Sequence, residues 1–176
     1  MNLPMKCIID TNVPINANSA NDPDNIPANL VACVDMCVEA IDHVLREGGL
    51  VIDSGDAIYN EYLAHLCLSG KKGIGHAFMK WVHDNRWCLA DADRVVISPK
   101  GDSYNEFPTH PGLTNFDKSD RKFVAVANAH PKKPPILQST DSKWWGWKDA
   151  LEDSGITVCF LCPEYVKTKY AEKIGE

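Results

Sequence analysis

The chain has 176 residues, of which 24% are charged and 44% hydrophobic, and a formal net charge of −6. That length suits one domain with a real core, since a domain of about 150 residues hides roughly 68–70% of its unfolded surface, and the composition excludes wholesale disorder and any need for stapling. The negative balance disfavours a polyanionic partner taken globally, but carboxylates gathered around cations lower the total charge while reversing the local sign.

The first element is Lys6-Cys7-Ile8-Ile9-Asp10-Thr11-Asn12. A short apolar run ending at a carboxylate and two small polar residues reads as a buried strand, with Asp10 aimed into the crevice beyond the strand ends. Pro14 to Pro27, rich in Asn, Asp, Ala and Pro, reads as a loop bordering that crevice. From Ala28 the apolar spacing Leu30, Val34, Cys37, Val38, Ile41, Leu45 predicts one helix, stopped by Gly48-Gly49. Leu50-Val51-Ile52-Asp53 is a second strand, followed by a helix through Ile58, Tyr62, Leu63 and Leu66 that carries Glu61. Ser69-Gly70-Lys71-Lys72-Gly73 breaks the chain before a helix from Ile74 to about Trp87, and Val95-Val96-Ile97 is a third strand.

Pro99 to Phe116 has no period and reads as a long functional or mobile loop. Asp117-Lys118-Ser119-Asp120 then opens a helix bearing Phe123, Val124, Val126 and Ala127, which ends at His130-Pro131. Ile136 to Ser139 is the next strand, finishing at Thr140-Asp141. Trp144 to Leu151 is a helix, and Ile156 to Phe160 a last strand before a polar tail. Alternating strands and helices predict an α/β fold with a mostly parallel sheet, and no Gly-rich phosphate loop supports a nucleotide-binding variant of it.

Seven cysteines, an odd number, lie scattered in apolar segments, as at Cys7, Cys33, Cys37, Cys67 and Cys88. They are expected to be free buried thiols, which places the chain in a reducing, cytoplasmic setting. Cys159-Phe160-Leu161-Cys162 has no second pair, so two core thiols fit it better than zinc. Met1-Asn2-Leu3-Pro4 is unlike a leader, and no apolar run approaches the ~20 residues of a membrane span. Lys71-Lys72, Lys132-Lys133 and the trio Lys118, Arg121, Lys122 fit a solvated surface and a phosphate-backbone track equally well.

Asp10 and Asp141 sit just past strand ends, Asp120 in the first turn of the helix between those strands, and Glu61 can join from its own helix. Four such carboxylates without cations would raise one another's pKa values, whereas Mg²⁺ or Mn²⁺ would turn them into hard oxygen ligands. In order, Ile8-Ile9-Asp10-Thr11-Asn12, Ile58-Tyr59-Asn60-Glu61-Tyr62, Asp120 to Ala127 and Ile136 to Asp141 make the chain resemble the PIN-domain nucleases. The resemblance implies a single domain over residues 1–176 with three α/β/α layers around the mostly parallel sheet. It also implies a metal-dependent nuclease that hydrolyses single-stranded RNA, with DNA as a further substrate. Asp10, Glu61, Asp120 and Asp141 carry over as the catalytic and metal-binding set, and Asn12 as a tuner of Asp10 or the metal's surroundings. Asp117 and Thr140 stand beside them. The cofactor implied is Mg²⁺ or Mn²⁺, as one ion or two about 3.5–4 Å apart, with in-line hydrolysis leaving a 5′-phosphate and a 3′-hydroxyl. Toxins paired with antitoxins belong to the same family, so an antitoxin or other effector-system protein is a partner to expect, with room for a homo-oligomer. The long segments 14–27 and 99–116 depart from the most compact toxins.

Plainer roles compete for the same residues. Asp120 fits a first-turn acid, Asp117 fits an N-cap better than a second-metal ligand, Asp141 can cap the tryptophan helix, and Asp53 fits a turn starter. Glu61 and His65 fit a surface pair better than a joint metal site. Trp144 and Trp147 share a helix face, leaving Trp145 as the expected exposed base stacker. The competing functions are an inactive PIN-like scaffold that binds RNA or protein, and a metal-dependent small-molecule phosphatase. The latter is weakened by Asn12, which stands where an Asp-x-Asp pair needs its second acid.

Overall fold

A computed structural model describes residues 3–68 and 72–174. Met1, Asn2 and the stretch Ser69-Gly70-Lys71, and with it half of the Lys71-Lys72 pair, lie outside the described residues.

The apolar runs become short parallel strands because both of their faces are covered. β1 (Ile8–Ile9), β6 (Ile136–Gln138) and β7 (Val158–Phe160) form a parallel sheet in the order β1-β6-β7, with Ile8 opposite Ile136 and Ile136 opposite Val158. β2 (Ile52–Asp53) and β3 (Arg94–Val95) form a second parallel pair. The two sets meet through one parallel bridge between Cys7 and Leu50, whose backbone bonds run from Cys7 N–H to Gly49 O and from Val51 N–H to Cys7 O. The chain therefore travels outward from β1 to β3 and returns on the other side of β1 as β6. The carboxyl ends of β1 and β6 flank this reversal, which is where open parallel sheets leave a crevice.

Helix α2 (Val31–Glu47) buries Cys33, Val34, Cys37, Ala40, Ile41 and Val44, the stripe that its spacing dictates. Helix α3 (Ala57–His65) and helix α4 (Ile74–Asn85) follow as expected, although Leu63 is exposed. Helix α5 (Arg121–Ala129) buries five consecutive residues, Phe123 to Ala127, and is a central helix rather than a surface one. Helix α6 (Lys143–Asp153) lies between β6 and β7. The result is a mixed α/β fold with a small, mostly parallel sheet. No helix among the described residues is long and apolar enough to cross a membrane.

Four expectations are corrected. The segment from Pro14 to Pro27 is not a plain loop: α1 (Asn12–Asn18) occupies its start and short 3₁₀ turns follow. Pro14 sits in the first turn of α1, where no intrahelical N–H is required of it, and Val13, Pro14 and Ala17 are buried against neighbouring helices. The contact with α4 is close, since a Cβ on Gly75 would lie 2.0 Å from the Pro14 carbonyl oxygen. Asn18 Oδ1 accepts the Gly75 and His76 N–H groups at 2.9 and 3.2 Å, so α1 supplies the cap that α4 lacks locally.

The 99–116 stretch is likewise structured. It holds an antiparallel hairpin, β4 (Pro99–Lys100) and β5 (Ser103–Tyr104), then a 3₁₀ turn, and it buries Leu113 and Phe116. The polar tail is a helix, α7 (Pro163–Ile174), whose only buried residue is Val166; so little apolar signal hides in a polar sequence. Finally, Cys33 and Cys162 are not free thiols but a disulfide with a Cα–Cα distance of 5.1 Å, and Cys88 is exposed. Bonded cysteines remove the premise on which the reducing-compartment expectation stood.

Candidate active site

Asp10 leaves β1 with its backbone N–H bonded to Leu137 O at 2.9 Å, and the chain turns at once into α1. The turn is fastened by the Val13 N–H on Asp10 O and by the Asn12 N–H on the Asp10 carboxylate, both at 3.0 Å. Asn12 thus tunes Asp10 through its backbone. Asp10 is only 2% exposed.

Glu61 is held over the same strand end by its neighbour on α3, Tyr62, whose buried hydroxyl donates to Ile9 O at 2.5 Å. One Glu61 oxygen accepts the Thr11 hydroxyl at 2.6 Å. The other accepts the Lys122 ammonium, which also donates to Ser119 O. The expected Glu61–His65 surface pair is therefore replaced by contacts facing the crevice. Asp120 stands at the N-cap position of α5 without capping it; its carboxylate accepts the indole N–H of the fully buried Trp144 at 3.0 Å. Asp141 follows β6 and accepts the Lys143 N–H at 2.9 Å from one residue before Ser142, which holds the N-cap position of α6.

Two of these carboxyls, Asp10 and Asp120, are raised above the usual range. Burial first, then Asp120, Glu61 and Asp141, pushes the Asp10 carboxyl up to about 8 against the opposing pull of the Asn12 N–H. Burial also leads in raising Asp120 to about 6, with Asp117 and Glu61 adding to it and the bonds from Trp144 and Ser119 opposing. Desolvation and like charge both disfavour ionisation, and among the described residues no cation is bonded to Asp10.

Residues expected beside the four divide. Asp117 does not cap α5: it accepts the Ser119 N–H at 3.2 Å and pairs with Lys143 at 2.9 Å, and the Lys143 bond holds its carboxyl below the usual range. Thr140 Oγ1 accepts the Asn16 side-chain amide at 2.9 Å, and the same amide donates to Ser139 at 2.9 Å. Asp53 faces elsewhere; its two oxygens accept the Ala57 and Ile58 N–H groups at 2.7 and 2.8 Å and anchor the start of α3. Trp145 packs on Phe160 with ring centroids 5.2 Å apart, whereas Trp147 lines a cleft next to the acidic edge.

Thr11, Asn16, Lys122 and Trp144 are the contributors that residue patterns did not single out for these roles. Thr11 lay inside the first motif, and a buried indole calls for a hydrogen-bond acceptor. Asn16 gave no local signal, because its partners are more than 120 positions away.

The donor set at this edge consists of hard carboxylate oxygens, the chemistry that suits Mg²⁺ or Mn²⁺ and not a soft metal. A divalent cation would offset the burial and like charge that raise the Asp10 and Asp120 carboxyls. The carboxylates do not form a tight nest: among the described residues, the group of three ligand atoms mutually within 4.8 Å is Cys33, Cys37 and Cys162. Two of those sulfurs are bonded to each other, and burial, the largest cause, pushes the Cys37 thiol up to about 12, so that trio offers no ready set of thiolates. No protein-family model, no curated protein and no solved structure matches this chain, so its function is argued from the chemistry of this edge.

Proposed function

We propose that the protein is a metal-dependent endoribonuclease that hydrolyses phosphodiester bonds of single-stranded RNA, with helices layered on both faces of the sheet as in PIN-domain nucleases. The observation that carries this reading is Asp10, buried at a strand end and raised to about 8 by desolvation and three further acids. A stability role would call for a cation or a set of N–H donors there. Asp10, Glu61, Asp120 and Asp141 would hold Mg²⁺ or Mn²⁺, which supplies charge neutralisation at the phosphate and an acidified water.

The chain's own residues prepare the site. Thr11 orients Glu61, Trp144 orients Asp120, and the Asn12 N–H orients Asp10. Asn16 ties the two residues before Asp141 to α1 and so fixes the loop that carries that acid. Lys122, bonded to Glu61 and to Ser119 O, stands at the same edge and would be the chain's own cation for a phosphate oxygen of the substrate.

Incubation of the purified protein with fluorescent single-stranded RNA, single-stranded DNA and a phosphate monoester, in Mn²⁺ and in EDTA, tests the proposal. RNA cleavage in Mn²⁺ that leaves 5′-phosphates and stops in EDTA is the expected result. Intact RNA under every metal condition, or cleavage unaffected by EDTA, would refute it. The Lys122–Glu61 pair favours one second reading, an RNA-binding scaffold with an internal cation in place of the metal. That reading expects RNA binding without cleavage.

A further inference from the structure

Beside the acidic edge, α6 and α7 leave an open cleft of about 390 Å³ lined by Asn115, Asp117, Lys143, Trp147, Tyr170 and Lys173, with Gly146 at its floor. We propose that this cleft is a nucleotide subsite, taking one unpaired base and its phosphate from the strand next to the scissile bond. The proposal rests on the nuclease reading above and names where that enzyme grips its substrate.

The cleft adjoins the carboxylates through its own lining. Lys143 donates its backbone N–H to Asp141, and Asp117 shares the Ser119 hydroxyl with Asp120, at 2.9 and 3.1 Å. The cleft therefore borders the acids that would hold the strand. Its volume lies at the low end of the roughly 300–1,000 Å³ of small-molecule sites, room for one nucleotide and not for several.

The aromatic walls pack against neighbouring elements. Trp147 is half-buried and rests against Phe116 with ring centroids 4.6 Å apart, while the cleft borders it on another side. Tyr170 lies so close to α6 that a Cβ on Gly146 would fall 2.5–2.7 Å from its ring and hydroxyl; glycine is what lets the ring settle there. Two aromatic rings lining one cleft offer stacking to any base, whose π-face is common to all sequences.

Charge complements the strand as well. Lys173 reaches from α7 to the Ser142 hydroxyl at 2.8 Å, and the Lys143 ammonium pairs with Asp117 at 2.9 Å. The Lys173 ammonium thus meets the residue next to Asp141, and Lys143 stands two residues beyond that acid, so both bring positive charge for backbone phosphates to an otherwise acidic edge. Asn115, exposed at the rim, carries an amide able to pair with a base edge.

The test titrates wild type, Trp147→Leu, Trp147→Phe, Tyr170→Leu and Lys173→Glu with a fluorescein-labelled ten-nucleotide single-stranded RNA in EDTA, where cleavage is off. Loss of about 5- to 150-fold in affinity is expected for each leucine variant, with Trp147→Phe largely rescued and Lys173→Glu weakened in a salt-dependent way. Circular dichroism separates misfolding at Trp147, and Lys173→Glu, on an exposed side chain, keeps the question open to an answer if that variant fails. Unchanged affinity in folded Tyr170→Leu and Lys173→Glu, or no binding by wild type, overturns the subsite even where wild type cleaves RNA in Mn²⁺. Weakened binding by the variants together with no cleavage by wild type would sustain the subsite and sink the nuclease reading.

Discussion

Two buried aspartates sit at opposite ends of the parallel strands and are treated in opposite ways. Asp93 lies at the amino end, before β3, where Lys6 from the start of β1 donates to both of its oxygens at 2.5 and 2.6 Å and His130, from just before β6, approaches to 3.5 Å. Asp10 lies at the carboxyl end and faces acids. Burial is similar at 7% and 2%, so desolvation alone does not distinguish them; the partners do. At one end the chain supplies its own counter-charge and gains a stable corner. At the other it leaves a carboxylate among like charges with the Asn12 N–H bonded to it, the kind of perturbed acid that marks a candidate site.

The contrast breaks most sharply at Asp10. Asp10→Asn is expected to lower Mn²⁺-dependent RNA cleavage by about 10²–10³-fold or more, measured by gel assay, with circular dichroism unchanged. Activity retained in that variant would place the two aspartates in the same structural class. Asp93→Asn should do the reverse: activity per folded molecule stays intact, while urea unfolding shows a loss of about 1–3 kcal/mol. That is less than a fully buried pair costs, because the Lys6 side chain is 39% exposed.

Stability changes that touch neither aspartate provide the baseline. The Cys33–Cys162 disulfide spans 129 positions and ties α2 to the start of α7. Cys33→Ser is expected to cost about 2–5 kcal/mol in denaturant unfolding, a loss that reducing agent reproduces in the wild type and does not deepen in the variant.

Acidity sharpens the comparison further. A carboxyl whose folded pKa lies above its unfolded value destabilises the fold once ionised, so the penalty is absent near pH 4 and grows as pH rises through about 6 for Asp120 and about 8 for Asp10. Metal-free protein should accordingly lose stability between pH 5 and 8. Asp10→Asn should raise its melting temperature by a few degrees at pH 8, each kcal/mol being about 2–4 °C in a chain of this size, and by less at pH 5. Saturating Mn²⁺ should abolish that advantage. Scanning calorimetry in EDTA and in Mn²⁺ at both pH values reads all of this, and a wild-type melting temperature that climbs from pH 5 to 8 in EDTA would contradict it.

The smallest effect belongs to Asn16, which only braces the loop before Asp141. Asn16→Ala removes two side-chain hydrogen bonds of about 0.5–1.5 kcal/mol each. It should weaken Mn²⁺ dependence of cleavage by about 10-fold, within the 10–100-fold range for residues that support ligands, with little change at saturating metal.

What could be read from the residues themselves is whatever rests on local pattern. Apolar runs ending in Asp10 and Asp53 gave strands, the stripe through Val34, Cys37 and Ile41 gave α2, and alternation of the two gave a parallel α/β fold. Asp10, Glu61, Asp120 and Asp141 could be named because each follows a strand end or sits on a helix that connects them. Tertiary structure decided the rest, for one reason: partners distant along the chain supplied what the local sequence lacked. Helix α1 forms because Gly75 admits Pro14; α7 forms with a single buried anchor; Cys33 finds Cys162; and Trp147, not Trp145, reaches the cleft because Phe160 claims the latter ring. The sequence set where acids would stand, and folding alone determined that Lys6 would neutralise Asp93 while Asp10 would be left among its own kind.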